Sequence, residues 1–476
     1  MIGRAEPRQG ELFVPGSLEA LIPDDYVLKQ VDRVLDLSWL EDEVRGAYCE
    51  ENGRPSVPPA SAVRLMVAGF LLGIVHDRAL MREAQVNLAI RWFAGYRLDQ
   101  ALPDHSTLTR IRQRWGAERF ERILKRTVQQ CVRARLVDVS TLHVDATLVR
   151  ADVSWSSLVE VHAEQVWSAN AEAGEPPAAR SRQRKPKKQS TTDPEATLAT
   201  AQKNQRLEPT FKQHTAVDDR SGVVADVAVT TGEANEGEQL LEQVARVEAT
   251  TGQTVSTVTA DRGYSSGRNY AALEERQTDP VIAVPRERRS RVRYPLERFR
   301  YDEKHQRVRC PGGKLLRPRR TDRRGTWYRA DPQDCANCSC RAQCVSPKAR
   351  RRTVLIVHGY SALLRARRRR RRGDPVFREA YRRHRWRAEG VHGQLKTQYG
   401  LRRAVRRGLA NMAIQAYLAA VALNLKILAR APGGLRLPPG ALQALEGALR
   451  RSRAPLASLW LIRLCRTRRL ARATTS

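Results

Sequence analysis

The chain has 476 residues, with 85 Lys and Arg against 51 Asp and Glu, a formal charge of +34. Its 41% hydrophobic content is ample for large cores and excludes wholesale disorder, and its length corresponds to about three domains. No stretch approaches 18 uncharged apolar residues and the first residues lack an apolar leader, so a soluble cytoplasmic protein with no membrane partner is expected. A charge this large attracts polyanions, because neutralising phosphates and releasing their counterions is a sequence-independent source of DNA affinity. About a dozen of the cations are Lys, as a GC-rich genome would give. That bias explains Arg over Lys but not the excess of cations over anions.

In chain order, residues 17–135 read as an all-helical domain, with a buried core helix in the apolar run at 66–75. Asp77 is placed to cap a helix starting at Arg78, and Ser106 to cap 107–115 after the turn at 103–106, with a further helix after Ala117. Leu108 and Ile111 give the 107–115 helix a buried face, while Thr109, Arg110, Arg112, Gln113 and Arg114 project outward. Such a face suits DNA groove or backbone contact, and an ordinary helical bundle would look similar.

Beyond residue 135 the texture changes. Residues 142–148 alternate at period two, as a strand does. A Gly, Pro, Ser, Lys and Gln-rich stretch at 169–204 reads as a disordered insertion. Strands at 211–217 and 223–229 flank a turn at 218–222, followed by a helix at 236–248, a strand at 254–259, a helix at 270–276 and a strand at 280–284. That order predicts a mixed α/β sheet over 138–285. Residues 286–372 carry 29 cations and 7 anions, including the run from Arg367 to Arg372, and read as a phosphate-tracking insertion. Residues 373–430 read as helical, with a second buried core helix at 414–425, and 431–476 as a basic tail.

Three carboxylates stand out. Asp145 lies in one strand, and Asp261 ends another, followed by Arg262 and Gly263. A charge there is poor packing material unless paired or metal-bound, although Asp at a strand end is also a common turn former. Far downstream, Arg385, Glu389, His392 and Lys396 fall at i, i+4, i+7 and i+11, one helical face holding an acid among cations. A salt-bridge ladder would share that spacing, but Gly390 and Gly393 each weaken a helix while letting a backbone or ligand come close. Three carboxylates on separate elements match the need of two-metal phosphoryl transfer, with two divalent ions about 4 Å apart.

At these residues the chain resembles the DDE transposases of bacterial insertion sequences, most closely the group called IS-eleven-eighty-two. The helical domain carries the resemblance in GRPSVPP at 53–59 and PDHST at 103–107, the core in VDAT at 144–147, KQHTAVD at 212–218 and ADRGY at 260–264, and the Glu region in RWRAEG at 385–390 and GLRRA at 400–404. One departure is that Tyr381 lies four residues before Arg385, not three as in the wider family. The resemblance implies an RNase H-like mixed sheet with flanking helices, preceded by the all-α domain and interrupted by the basic Cys-rich insertion. It implies that Asp145, Asp261 and Glu389 hold two Mg²⁺ ions, with Mn²⁺ able to substitute. Those ions would activate water to free a 3′-hydroxyl at the element end, then activate that hydroxyl to attack target DNA. Arg385, Lys396, Tyr381, Arg402 and Arg403, with Arg110, Arg112 and Arg114 of the helical domain, would contact DNA. Terminal inverted repeats and target DNA are the implied partners, engaged by a homodimer or higher oligomer at the nucleoid. A metal-dependent nuclease without strand transfer, or a non-catalytic DNA-binding derivative, are the rival readings.

Five of eight cysteines cluster, at Cys310, Cys335, Cys338, Cys340 and Cys344, with Cys49, Cys131 and Cys465 scattered. The scatter fits a reducing compartment. Cys310, Cys335, Cys338 and Cys344 could supply four thiolates to a structural Zn²⁺, leaving Cys340 as the odd one out; free thiols in a small β-rich insertion are the alternative.

Overall fold

The architecture comes from a computed structural model that describes residues 17–49, 56–161, 187–200, 206–285 and 294–431. Its first third is helical: Val27–Asp32, Leu40–Val44, Pro59–Leu71, Asp77–Val86, Leu88–Ala94 and His105–Arg133. The Pro59–Leu71 helix starts with Pro, whose missing N–H costs nothing there, and buries Ala62, Leu65, Met66, Val67 and Phe70. The apolar run at 66–75 is helical only to Leu71, because Gly73 turns the chain at φ +74° and the Ile74 amide donates back to the Gly69 carbonyl. Two capping expectations are corrected. Asp104, not Ser106, caps the next helix by accepting from the Ser106 amide, and Asp77 begins its helix with its carboxylate turned inward. The break near residue 116 is present, since Gly116 (φ 68°, ψ 170°) divides His105–Arg133 into two helices.

The mixed sheet is built from β1 (Thr141–Arg150), β4 (Thr197–Ala199), β5 (Glu208–Asp218), β6 (Val224–Thr231), β7 (Thr257–Ala260) and β8 (Asp279–Ile282), while β2 (Leu158–Val161) and β3 (Lys187–Ser190) pair separately. β1 is central, antiparallel to β5 and parallel to β7, with β8 parallel beyond β7 and β6 along the far edge of β5. The β5–β6 hairpin is locally encoded: the Asp218 carboxylate accepts from the Arg220, Ser221 and Val223 amides at 2.9, 3.0 and 2.6 Å. Helices Leu240–Thr251 and Gly267–Glu275 connect β6 to β7 and β7 to β8; the first begins later than expected because Asn235 caps a separate turn at Glu236–Glu238. One sheet face packs Leu142, Val144, Ala216, Val258 and Ala260 against Leu240, Val244 and Val247. The opposite face carries His143, Asp145 and Thr259.

Part of the stretch expected to be disordered is ordered. Residues 187–200 contain β3 and β4, and Asp193 and Glu195 accept from the Gly408 and Leu409 amides, placing two acids at the N-terminus of the Leu409–Arg430 helix. Residues 162–186 and 201–205, like the basic tail at 432–476, lie outside the described residues. The Leu409–Arg430 helix is long and apolar enough to cross a membrane, yet 78% of its most apolar window is buried inside the protein. Met412, Leu418, Val421 and Leu425 share one core with Leu65, Phe70, Leu108 and Phe120 of the N-terminal helices. Asn424 pairs with both the amide and the carbonyl of Val224, satisfying the edge of β6.

Between β8 and the Glu-bearing helix, β9 (Arg300–Asp302), β10 (Arg307–Arg309), β11 (Leu315–Asp322), β12 (Gly325–Arg329) and β13 (Thr353–Val357) form an antiparallel five-stranded sheet over its own small core of Phe299, Val308, Leu316, Tyr328 and Ile356. The Tyr360–Arg372 helix then returns to the Gly267–Glu275 helix, with Gly359 (φ +67°) so close to the Gly267 carbonyl that a Cβ would lie 2.0 Å from it. The arginine run on this helix is not a freely solvated face. Arg365 pairs with Glu274, Arg369 with Asp279 and Asp374, and Arg371 with Glu297, joining the insertion to the core.

Candidate active site

The parallel register of β1 and β7 matches Val144 with Ala260, so the next residues, Asp145 and Asp261, stand side by side where β7 ends. Asp145 accepts from the Ala146 amide at 2.9 Å and lies 3.3 Å from His392 Nδ1. Asp261 accepts from the Gly263 amide at 2.7 Å, capping the turn Arg262–Tyr264. A Cβ at Gly263 would push aside the Glu236 carboxylate, which Lys212 holds at 3.0 Å. Burial works to raise the Asp145 pKa, but the His392 hydrogen bond and the charges of His392 and His384 outweigh it and hold the carboxyl below its ordinary value. Asp261 goes the other way, to about 6, through burial, the Asp145 charge and then Glu236. Two carboxylates that repel each other in this way are a natural seat for a divalent cation, and their hard oxygen donors suit Mg²⁺.

Glu389 comes from the element packed across β1 and β5. The Pro375–His384 helix opens into a π turn at Arg385–Glu389 before continuing as Gly390–Thr397. The wide turn carries an extra residue, so the expected single face is split. Arg385 and Glu389 face outward, 69% and 66% exposed and 3.6 Å apart, while His392 is buried against Asp145. Lys396 is partly buried, and burial lowers its pKa against the pull of Asp145. Among the described residues no three His, Cys, Asp or Glu side chains converge on one point, as Glu389 pairs outward with Arg385. A Cβ at Gly390 or Gly393 would meet nothing within 4 Å, so both leave open space beside the Glu. Tyr381, despite its shifted spacing, stacks between Phe377 and His384, and its phenol is raised by burial and then by the Asp261 charge.

Behind the acids lie polar groups that the sequence alone leaves without a role. His143 Nδ1 is 2.6 Å from Thr259 Oγ1, which is 3.0 Å from His384 Nδ1, and His143 Nε2 is 2.9 Å from Asp219. Burial lowers the His143 pKa and takes His384 to about 4, leaving both rings neutral at pH 7. Only the strand alternation that sets His143 two before Asp145, and Thr259 two before Asp261, could have signalled them.

Of the expected DNA contacts, Arg110, Arg114, Arg402 and Arg403 are exposed, with Arg114 over the Tyr48 ring and Arg403 also 2.9 Å from Asp152. Arg112 is corrected. It is 3% exposed and donates twice to Asp77, at 2.7 and 2.8 Å, while Arg406 donates to the same carboxylate at 2.6 Å. Leu108, Ile111, Arg112 and Trp115 form the inward face at i, i+3, i+4 and i+7, which places Arg112 in the bundle. Cys310, Cys335, Cys338, Cys340 and Cys344 line one small cavity in the insertion, all unpaired. Burial pushes the Cys344 thiol up, as do Cys310, Cys335 and Cys338, against the pull of Arg352.

Residues 140–425 match the family described as "Transposase DDE domain", and residues 16–114 match "Transposase domain (DUF772)". The chain belongs to the DDE transposases. No curated protein matches it. Among solved structures, the piggyBac transposase synaptic complex with hairpin DNA is similar at 11% identity and TM-score 0.31, over 93% of this chain and 83% of that one. The Mos1 transposase paired-end complex with left transposon end is similar at 9% identity and TM-score 0.16, over 51% and 65%. Likeness at that level carries no residue correspondence. The mixed sheet with its helical N-terminal region is the fold expected of the family.

Proposed function

We propose that this transposase binds the terminal inverted repeats of an insertion sequence, hydrolyses a phosphodiester at each end, and joins the freed 3′-hydroxyls to target DNA in the bacterial cytoplasm, as a homodimer or higher oligomer. The observation that carries this reading is the β1–β7 register, which sets Asp145 beside Asp261 under the helix that bears Glu389. Asp145, Asp261 and Glu389 would hold the metal ions, with Glu389 turning from Arg385 when DNA brings its phosphates. Two Mg²⁺ ions, or Mn²⁺ in their place, supply activation of the attacking oxygen and neutralise charge on the phosphate when bound. Arg385, Lys396, Arg402 and Arg403 hold the phosphates flanking the scissile bond, and Tyr381 borders the site. Gly390 and Gly393 leave room for the backbone of the DNA, while Arg110 and Arg114 hold it from the N-terminal helices. In the insertion, Cys310, Cys335, Cys338 and Cys344, which line one cavity without being gathered to metal-binding distance, would draw together on one structural Zn²⁺ and so stabilise a sheet whose own core is small.

The test is incubation of the protein and Mg²⁺ with DNA carrying the element's own ends and a supercoiled target plasmid. Joined products support the reading. Cleaved ends without joining would make the protein a nuclease, and binding without cleavage a non-catalytic derivative.

A further inference from the structure

His143, Thr259 and His384 form a hydrogen-bonded chain that ties together the three elements bearing the carboxylates. His143 and Thr259 are register partners on β1 and β7, two residues before Asp145 and Asp261 and on the same sheet face. His384 ends the helix that leads into the π turn carrying Glu389. The chain closes on itself, because His143 also bonds Asp219, and Asp219 pairs with Arg383, the neighbour of His384.

The partners fix where each proton lies. Asp219 can only accept, so His143 Nε2 carries the proton, and the neutral ring's Nδ1 accepts from the Thr259 hydroxyl at 2.6 Å. The alternative acceptor for that hydroxyl, the Leu142 carbonyl, is 3.5 Å away. With its single proton committed, Thr259 Oγ1 accepts from His384 Nδ1–H at 3.0 Å. Every member is buried, so an unmade bond would leave an orphaned polar group.

We propose that His143, Thr259 and His384 are positioning residues that set the spacing of Asp145, Asp261 and Glu389 for metal binding by locking β1, β7 and the Glu-bearing helix to one another. None of the three touches substrate; each acts through the carboxylate that follows it. The proposal rests on the assignment of those carboxylates.

The test is Thr259→Val, which keeps the shape and removes the hydroxyl, compared with Thr259→Ser, which restores it. The readouts are the Mg²⁺ concentration for half-maximal cleavage of element ends, end binding without metal, and the urea midpoint. Thr259→Val is expected to raise the Mg²⁺ requirement about 10- to 100-fold, the usual cost of losing a group that orients a metal ligand. End binding should change less than about twofold, and Thr259→Ser should restore the wild-type Mg²⁺ curve. If Thr259→Val does not fold, Asp219→Ala removes the far end of the chain at the surface side and should shift the Mg²⁺ curve in the same direction. Asp261→Asn is run in parallel. Its retention of cleavage would overturn the site itself. An inactive Asp261→Asn together with a Thr259→Val or Asp219→Ala protein of unchanged Mg²⁺ dependence would overturn only the positioning role.

Discussion

Replacing Arg112 with Ala separates a structural arginine from a DNA contact. Arg112 is 3% exposed and makes two charge-assisted hydrogen bonds to Asp77, whose other close cation is Arg406. Burial alone would raise the Asp77 pKa, yet Arg112 and Arg406 hold it below its ordinary value of 3.8. Removing one partner of a buried pair costs about 3–5 kcal/mol, and the surviving Arg406 puts the expected loss near the low end, about 3 kcal/mol. Because the folded pKa is depressed, this stabilisation is present above pH 3.8 and fades as pH falls through the folded value. The gap between wild type and Arg112→Ala should therefore be full at pH 7 and narrow below pH 4. Urea unfolding at both pH values measures it. A loss under about 1 kcal/mol at pH 7, with a salt slope of DNA binding shallower by about 0.9, would mean that Arg112 faces a phosphate and that the inward placement is wrong.

Asp261→Asn should raise the stability of the metal-free protein while abolishing cleavage, since a carboxyl lifted to about 6 destabilises the fold once it ionises; an unchanged or lower urea midpoint at pH 8 would contradict this. At limiting Mg²⁺, cleavage should fall by about tenfold per pH unit below pH 6, as a proton displaces the metal from Asp261, and a flat profile from pH 7 to 5 would count against that ligand. Arg385→Ala and Lys396→Ala should each make log K against log salt shallower by about 0.9, whereas an unchanged slope with normal cleavage would assign both to structural pairing. Purified protein should carry about one zinc per chain, lost in Cys338→Ser and kept in Cys340→Ser; zinc-free wild type of full DNA affinity would leave only free thiols.

The acid pair was legible because its signal is local: one carboxylate inside a strand whose period-two pattern is plain, and another where a second strand gives way to Arg262 and Gly263. The β5–β6 hairpin was legible for the same reason, as Asp218 closes its own turn. Long-range pairing was not. Arg112 looks like an outward cation until Asp77, 35 residues earlier, and Arg406, far downstream, are seen to meet it. Likewise, nothing in the composition of residues 187–200 says that Asp193 and Glu195 will cap a helix more than 200 residues later. The π turn at Arg385–Glu389 leaves no mark in helical spacing, and it turned one predicted face into two. In the arginine run, charge density alone could not tell paired from free side chains, and Glu274, Glu297 and Asp279 supply partners from three separate elements.

Asp145, Asp261 and Glu389 are proposed to act as one metal-binding set although Glu389 pairs outward with Arg385 in the DNA-free protein. Cleavage of labelled element ends in Mg²⁺ by Asp145→Asn, Asp261→Asn and Glu389→Gln, alongside end binding by the same proteins, tests it most directly. No cleavage above background is expected for any of the three, with end binding close to wild type. Cleavage near the wild-type level by Glu389→Gln would contradict it, leaving the Arg385–Glu389 pair as a surface salt bridge.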